Sequence, residues 1–139
     1  MPHLEAVPPE KIREAWPLVR PMVEAVKERT KALWLPEDVF IELIGQTALL
    51  HVARDEDGHV CGCLVSQRIF EGGTPILFVW ICFHRHQNRT IADYWPEVLD
   101  FARSLNIRRI RMQGPRANDK ALPVKAVATI YEAEVPDGR

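Results

Sequence analysis

Pro75-Ile-Leu-Phe-Val-Trp-Ile-Cys-Phe-His-Arg-His-Gln-Asn-Arg-Thr90 is the stretch that decides the fold. The run Ile76 to Phe83 is apolar, β-branched and aromatic, of strand length, and it empties into a basic turn. Beyond the turn Ile91, Trp95, Val98, Ala102 and Leu105 recur at helical spacing. A strand that feeds a helix start through a cationic turn offers free backbone N–H groups and the positive end of a helix dipole to an anion, a phosphate above all.

Upstream of this unit, Ala48 to Ala53 and Val60 to Phe70 read as strands, separated by the turn Asp55-Glu-Asp-Gly-His59 and followed by the turn Glu71-Gly-Gly73. With the Ile76 strand they make a three-strand meander. Two helices precede it. Ile12, Trp16, Val19, Val23 and Val26 form an apolar stripe, which Pro17 and Pro21 are expected to kink or divide. Leu35-Pro36-Glu37-Asp38 opens a second helix, with Val39 or Phe40, Leu43 and Ile44 on one face, ending near Gly45. Downstream, Asn106 stops the long helix, Ile107 to Met112 reads as a further strand, and Ala126 to Val135 has strand composition. Pro96 leaves two placements for the long helix: from Thr90, with a break at the proline, or from near Trp95, with the proline in its first turn.

The 139 residues, 47% of them hydrophobic, suffice for one domain with a real core, expected to span residues 1–139. A formal charge of −1 excludes a general polyanion binder, so a nucleic-acid partner is not expected. Arg103, Arg108, Arg109, Arg111 and Arg116 read as a solvated or subunit-facing edge. No apolar run has the roughly 20 residues of a membrane span, and no signal-peptide pattern opens the chain; a cytoplasmic protein is expected. Cys61, Cys63 and Cys82 suit small buried positions better than a disulfide framework. Cys61-Gly-Cys63 with His51 or His59 falls short of the two ligand clusters of a structural zinc site, so no metal is expected; the two cysteines are read as sharing one strand face, and Gly62 as marking a bulge or a close backbone approach.

The order helix, helix, three strands, helix, strand resembles that of the GCN5-related N-acetyltransferases over nearly the whole chain. Arg85-His86-Gln87-Asn88-Arg89-Thr90 is similar to that family's coenzyme loop: Arg85 falls on its basic position, and Asn88 and Thr90 stand where it has small residues. The resemblance implies an α/β fold, a mixed and mostly antiparallel sheet with flanking helices, shortened at the C-terminus. It implies acyl transfer from acetyl-CoA to an amine. Ile81, Cys82 and Phe83 would meet the pantetheine by backbone, and Arg85, Gln87, Asn88, Arg89 and Thr90 would hold the pyrophosphate. Tyr94-Trp-Pro, Arg109-Ile-Arg-Met and Tyr131-Glu-Ala-Glu-Val also resemble small acetyltransferase-like proteins of tailed phages and prophages. That narrower likeness implies an alternative: a catalytically inactive interaction or virion-associated protein in the host cytoplasm or the virion.

Acetyl transfer needs a deprotonated amine, a polarised carbonyl and a proton for the leaving thiolate. On a regular strand Ile76, Phe78, Trp80, Cys82 and His84 share one face, which makes His84 the candidate general base; local hydrogen bonding is its plainer use. Cys82 paired with His84 as a nucleophile is the weaker reading. Tyr131 is the candidate acid by family resemblance, though its strand-like setting also suits sheet packing. Trp34 lies in a loop that could cover a substrate cleft. Since 27 residues follow Met112, the acceptor side is expected to be truncated or completed by a second subunit, and the terminal strand offers a homodimer an edge.

Overall fold

Alternating and helical periodicities become two layers of helix on either side of one sheet in the computed structural model, which describes residues 3–86, 91–112, 132–134 and 136. The elements are β1 (Leu4–Val7), a 3-10 turn (Pro9–Lys11), α1 (Ile12–Thr30), α2 (Pro36–Ile44), β2 (Ala48–Arg54), β3 (Val60–Glu71), β4 (Thr74–His84), a second 3-10 turn (Ile91–Tyr94), α3 (Trp95–Ser104) and β5 (Ile110–Met112). Strand order in the sheet is β1-β2-β3-β4-β5; all pairs are antiparallel except β4 with β5, which α3 joins as a parallel crossover. The expected α/β architecture, with a mixed and mostly antiparallel sheet, is the one observed.

One sheet face lies under α1 and α2. Val19, Val23, Val26, Val39 and Leu43 pack there on Ala48, Leu50, Val52, Cys63, Val65 and Ile81. The other face lies under α3, where Val98 meets Leu64 and Val79, and Ala102 meets Leu77 and Ile107. The helical stripe of α1 is as its spacing predicts, but the prolines do not divide it. Pro17 and Pro21 sit inside one continuous helix, and both are exposed, so the carbonyls they deprive of donors face solvent. Pro36 is in the first turn of α2, and Asp38 Oδ2 reaches back to accept the Leu35 N–H at 2.7 Å. For α3 the second of the two sequence placements holds: the helix starts at Trp95 with Pro96 in its first turn.

β1 was not expected from sequence. It is a four-residue edge strand, and α3 holds it: Glu97 accepts the Leu4 N–H at 2.7 Å and sits 2.9 Å from His3 Nδ1. The loop Gln87 to Thr90 and most of the expected strand over Ala126–Val135 lie outside the described residues, and the described part of the latter, Glu132 to Glu134, is not in a strand.

Candidate functional site

β3 and β4 turn over at Gly72 and Gly73, with φ of 58° and 84°, a left-handed pair that matches the twist of a tight hairpin. Pairing runs regularly from Glu71↔Thr74 to Ser66↔Val79, then jumps to Val65↔Ile81. Trp80 is therefore an extra residue, a β-bulge, and it reverses the sheet faces beyond it. Leu77 and Val79 pack under α3, Trp80 and Ile81 under α1 and α2, and Cys82 again under α3. The expected single face from Ile76 to His84 is thus broken: Cys82 belongs to the α3 side and Trp80 to the other.

Among the described residues β5 pairs with β4 at Leu77↔Ile110, Phe78↔Arg111 and Val79↔Met112. Beside the bulge Arg29 Nη2 lies 3.5 Å from Cys82 O, and Trp34 meets Trp80 edge-on with ring centroids 5.8 Å apart. Lys27 Nζ pins the loop carrying Trp34 by donating to the Ala32 and Trp34 carbonyls, each at 2.8 Å. Trp34, expected over a cleft, thus stands against the bulge.

Ile81 is buried in the α1 side; Cys82, Phe83 and His84 are half-buried. Burial pushes the Cys82 thiol up to about 11, against a smaller opposing effect of Arg29, and pushes Cys63 further up, so neither is a ready thiolate near neutrality. His84 does not pair with Cys82. Its Nε2 lies 3.4 Å from Cys61 Sγ, across on β3, its Nδ1 accepts the His86 N–H at 3.0 Å, and Tyr94 stacks on its ring at 5.9 Å between centroids. Cys61 Sγ also approaches Ala53 O at 3.4 Å. Sequence reasoning missed this partner, although the Gly72-Gly73 turn, counted back along both strands, sets Cys61 directly opposite His84; the Trp80 bulge then moves Gly62 to that place.

Cys61 reaches this position because a second bulge makes it the extra residue between the pairs Ala53↔Gly62 and Arg54↔Val60. It clusters with Ala53 and Tyr94, while Cys63 lies in the core under α1; the expected shared face of the two cysteines is overturned by that bulge. Gly62 meets both sequence readings. It adjoins the bulge, and a Cβ there would lie 2.7 Å from Phe83 O and 3.0 Å from His84 Cδ2.

Arg85 donates its backbone N–H to Cys61 O at 2.7 Å, and it lines a cavity of about 310 Å³ with Leu18, Arg54, Gly58, His59 and Val60. His84 turns toward Tyr94. Gln87, Asn88, Arg89, Thr90 and Tyr131 lie outside the described residues. Asp55, Asp57 and His59 are spaced as metal ligands could be, but all are exposed, and Asp55 Oδ1 already accepts the Asp57 and His59 amides at 2.9 Å as a turn cap. The expected arginine edge is anchored at Arg111, whose guanidinium is bidentate to Glu71 at 2.6 and 3.0 Å. Among the described residues no helix is long and apolar enough to cross a membrane.

No protein-family profile and no curated protein sequence matches the chain. Solved structures do. A putative acetyl transferase from Pyrococcus furiosus superposes with a TM-score of 0.69 at 15% identity, covering 97% of this chain and 100% of that one. The ribosomal-protein-alanine N-acetyltransferase of Brucella melitensis gives 0.68 at 16% identity over 97% and 99%. A predicted acetyltransferase from Clostridium acetobutylicum, solved with acetyl-CoA, gives 0.68 at 10% identity over 96% of each chain. At such identities the likeness speaks for the fold, and it covers every layer described above: this chain has the GCN5-related N-acetyltransferase fold.

Proposed function

We propose that the protein is an acyl-CoA-dependent N-acyltransferase, with acetyl-CoA as its cosubstrate. The observation that carries this reading is the Trp80 bulge in β4, on a fold shared over 96% or more of the chain with solved acetyltransferases. A bulge takes backbone donors and acceptors out of the regular ladder. A pantetheine arm, with two amide groups, has the chemistry to meet such main-chain groups at Ile81, Cys82 and Phe83. Arg85, Gln87, Asn88, Arg89 and Thr90, four of them with cationic or amide side chains, would take the pyrophosphate.

The amine would attack the thioester directly. Burial disfavours the thiolates of Cys82 and Cys63, so neither offers itself as the nucleophile. Tyr131 remains the proposed donor to the leaving thiolate. The acceptor stays open: the fold neighbours include a ribosomal-protein-alanine and an aminoglycoside acetyltransferase, two unlike amines on one architecture. The alternative, a non-catalytic interaction protein, is favoured by Asn88 and Thr90 standing where the resembling loop has small residues.

Calorimetric titration with acetyl-CoA, against desulfo-CoA and ATP, tests the reading. Saturable binding that ATP does not reproduce is expected, weakened about tenfold or more by Arg85→Ala if a charge-assisted bond to phosphate is lost. Absence of binding at millimolar coenzyme would overturn it in favour of the non-catalytic alternative.

A further inference from the structure

His84 sits where a proton acceptor could be wanted, yet its ring is occupied. The neighbouring strand β3 and the turn before α3 converge on it. Gly62, paired opposite on β3, leaves the space its ring fills, with His84 Cδ2 only 3.0 Å from where a side chain would begin. Tyr94, 7% exposed, covers one ring face at an interplanar angle of 29°. Cys61, 4% exposed, meets Nε2 at 3.4 Å. Nδ1 accepts the His86 amide at 3.0 Å, and an amide donor requires that nitrogen to be bare, so the neutral ring carries its hydrogen on Nε2, facing sulfur. Cys61 in turn directs its S–H at Ala53 O, 3.4 Å away.

The single lone pair of a neutral imidazole is therefore spent on the His86 backbone. Taking a proton there would set two donors against each other and release the turn. From this geometry we infer that His84 is a positioning residue: seated by Gly62, Cys61 and Tyr94, its Nδ1 fixes the Arg85–His86 turn, and with it the place from which Arg85 would reach a coenzyme phosphate. This rests on the acyltransferase reading for its purpose, and on the contacts just given for its geometry. The turn is held twice, by His84 Nδ1 on one side and by the Arg85 N–H to Cys61 O bond on the other.

The test has two arms. In the wild-type protein without ligand, long-range nitrogen-15 NMR of the His84 ring should show a protonated Nε2 and a bare Nδ1, and the His86 amide should exchange slowly. A ring protonated at Nδ1, or an unprotected His86 amide, overturns the inference whether or not any coenzyme binds. In the second arm, an asparagine can accept the N–H two residues on as an Asx turn, so His84→Asn should retain His86 protection and coenzyme affinity within about threefold, while His84→Ala should lose both, affinity by roughly tenfold or more. Equal loss in both variants, or a His84→Asn enzyme that binds coenzyme normally but turns over a hundredfold more slowly, would return His84 to proton transfer and sink the positioning role. Failure of the wild-type protein to bind coenzyme would defeat the acyltransferase reading and leave the NMR arm to decide the seat.

Discussion

Gly62 is the residue on which the candidate site turns. Adding one methyl group would set it 2.7 Å from the Phe83 carbonyl and 3.0 Å from the His84 ring, and the first of these neighbours is backbone in the middle of a sheet, unable to rotate away. Gly62→Ala should destabilise the fold by about 1–3 kcal/mol, the usual cost of overpacking, seen as a fall of several degrees in Tm and loss of the Cys61–His84 contact. An unchanged Tm would mean that the two strands stand further apart than described. Ser66, on the same strand, is its opposite: fully buried, with no hydrogen-bond partner for Oγ among the described residues. Removing an unsatisfied hydroxyl costs little, so Ser66→Ala should leave stability within about 1 kcal/mol or raise it, where a loss of 2 kcal/mol by denaturant titration would reveal a hidden partner. The close approach at Gly62 was legible in sequence because glycine in an otherwise packed strand has few other uses. The contact of Cys61 with His84 could be reached only by counting across the hairpin, and the two bulges, each a single extra residue, decide which other side chains face one another while leaving hydrophobic composition untouched.

Elements with their own periodicity were read closely and elements without it were missed. The α1 stripe, α2 and its Gly45 end, and the three meander strands all carry enough apolar residues to declare a face. β1 has four residues with burial only at its ends, and its place in the sheet comes from pairing with Leu50 to Ala53 and from Glu97 of α3, neither of which leaves a mark in local sequence. Glu97→Ala removes the charged acceptor of the Leu4 amide. We expect the amides of Leu4 to Val7 to lose protection in hydrogen exchange, at a global cost of no more than about 1.5–3 kcal/mol, with β2 to β4 unaffected. Protection lost throughout the sheet would show that the edge strand is part of the cooperative core. The α1 prolines leave the helix undivided for a physical reason. A proline breaks a helix when the carbonyl it strands is buried, and here both stranded carbonyls lie on the water-facing side of a helix held by its opposite face.

For the whole molecule the fold was legible because element order and amphipathic pattern together leave few ways to cover both sides of such a sheet. The acceptor-facing chemistry was not, since it depends on where the chain beyond Met112 runs and on side chains whose roles no periodicity encodes. What the assembled layers do determine is a response to acid. His51 lies on β2 with 7% exposure, edge-on to Phe101 of α3 at 4.3 Å, and its Nδ1 has no partner among the described residues. Burial lowers its pKa below the ordinary 6.5, with nearby Glu97 only partly opposing. Because the folded pKa is depressed, the unfolded chain binds the proton more readily: His51 contributes no penalty above about 6.5, and stability is lost as pH falls below that value toward the folded pKa. Glu37, Asp55 and Glu71, all held below the usual carboxylate range by hydrogen bonds, act in the same direction but only nearer pH 4. Denaturant unfolding at a series of pH values should therefore show a first loss beginning near 6.5 and a second below about 4.5, and His51→Leu should reduce the first while sparing the second. Were the variant to retain the first loss in full, the proton responsible would belong to another histidine, and the buried ring beneath α3 would have to find its charged form tolerable.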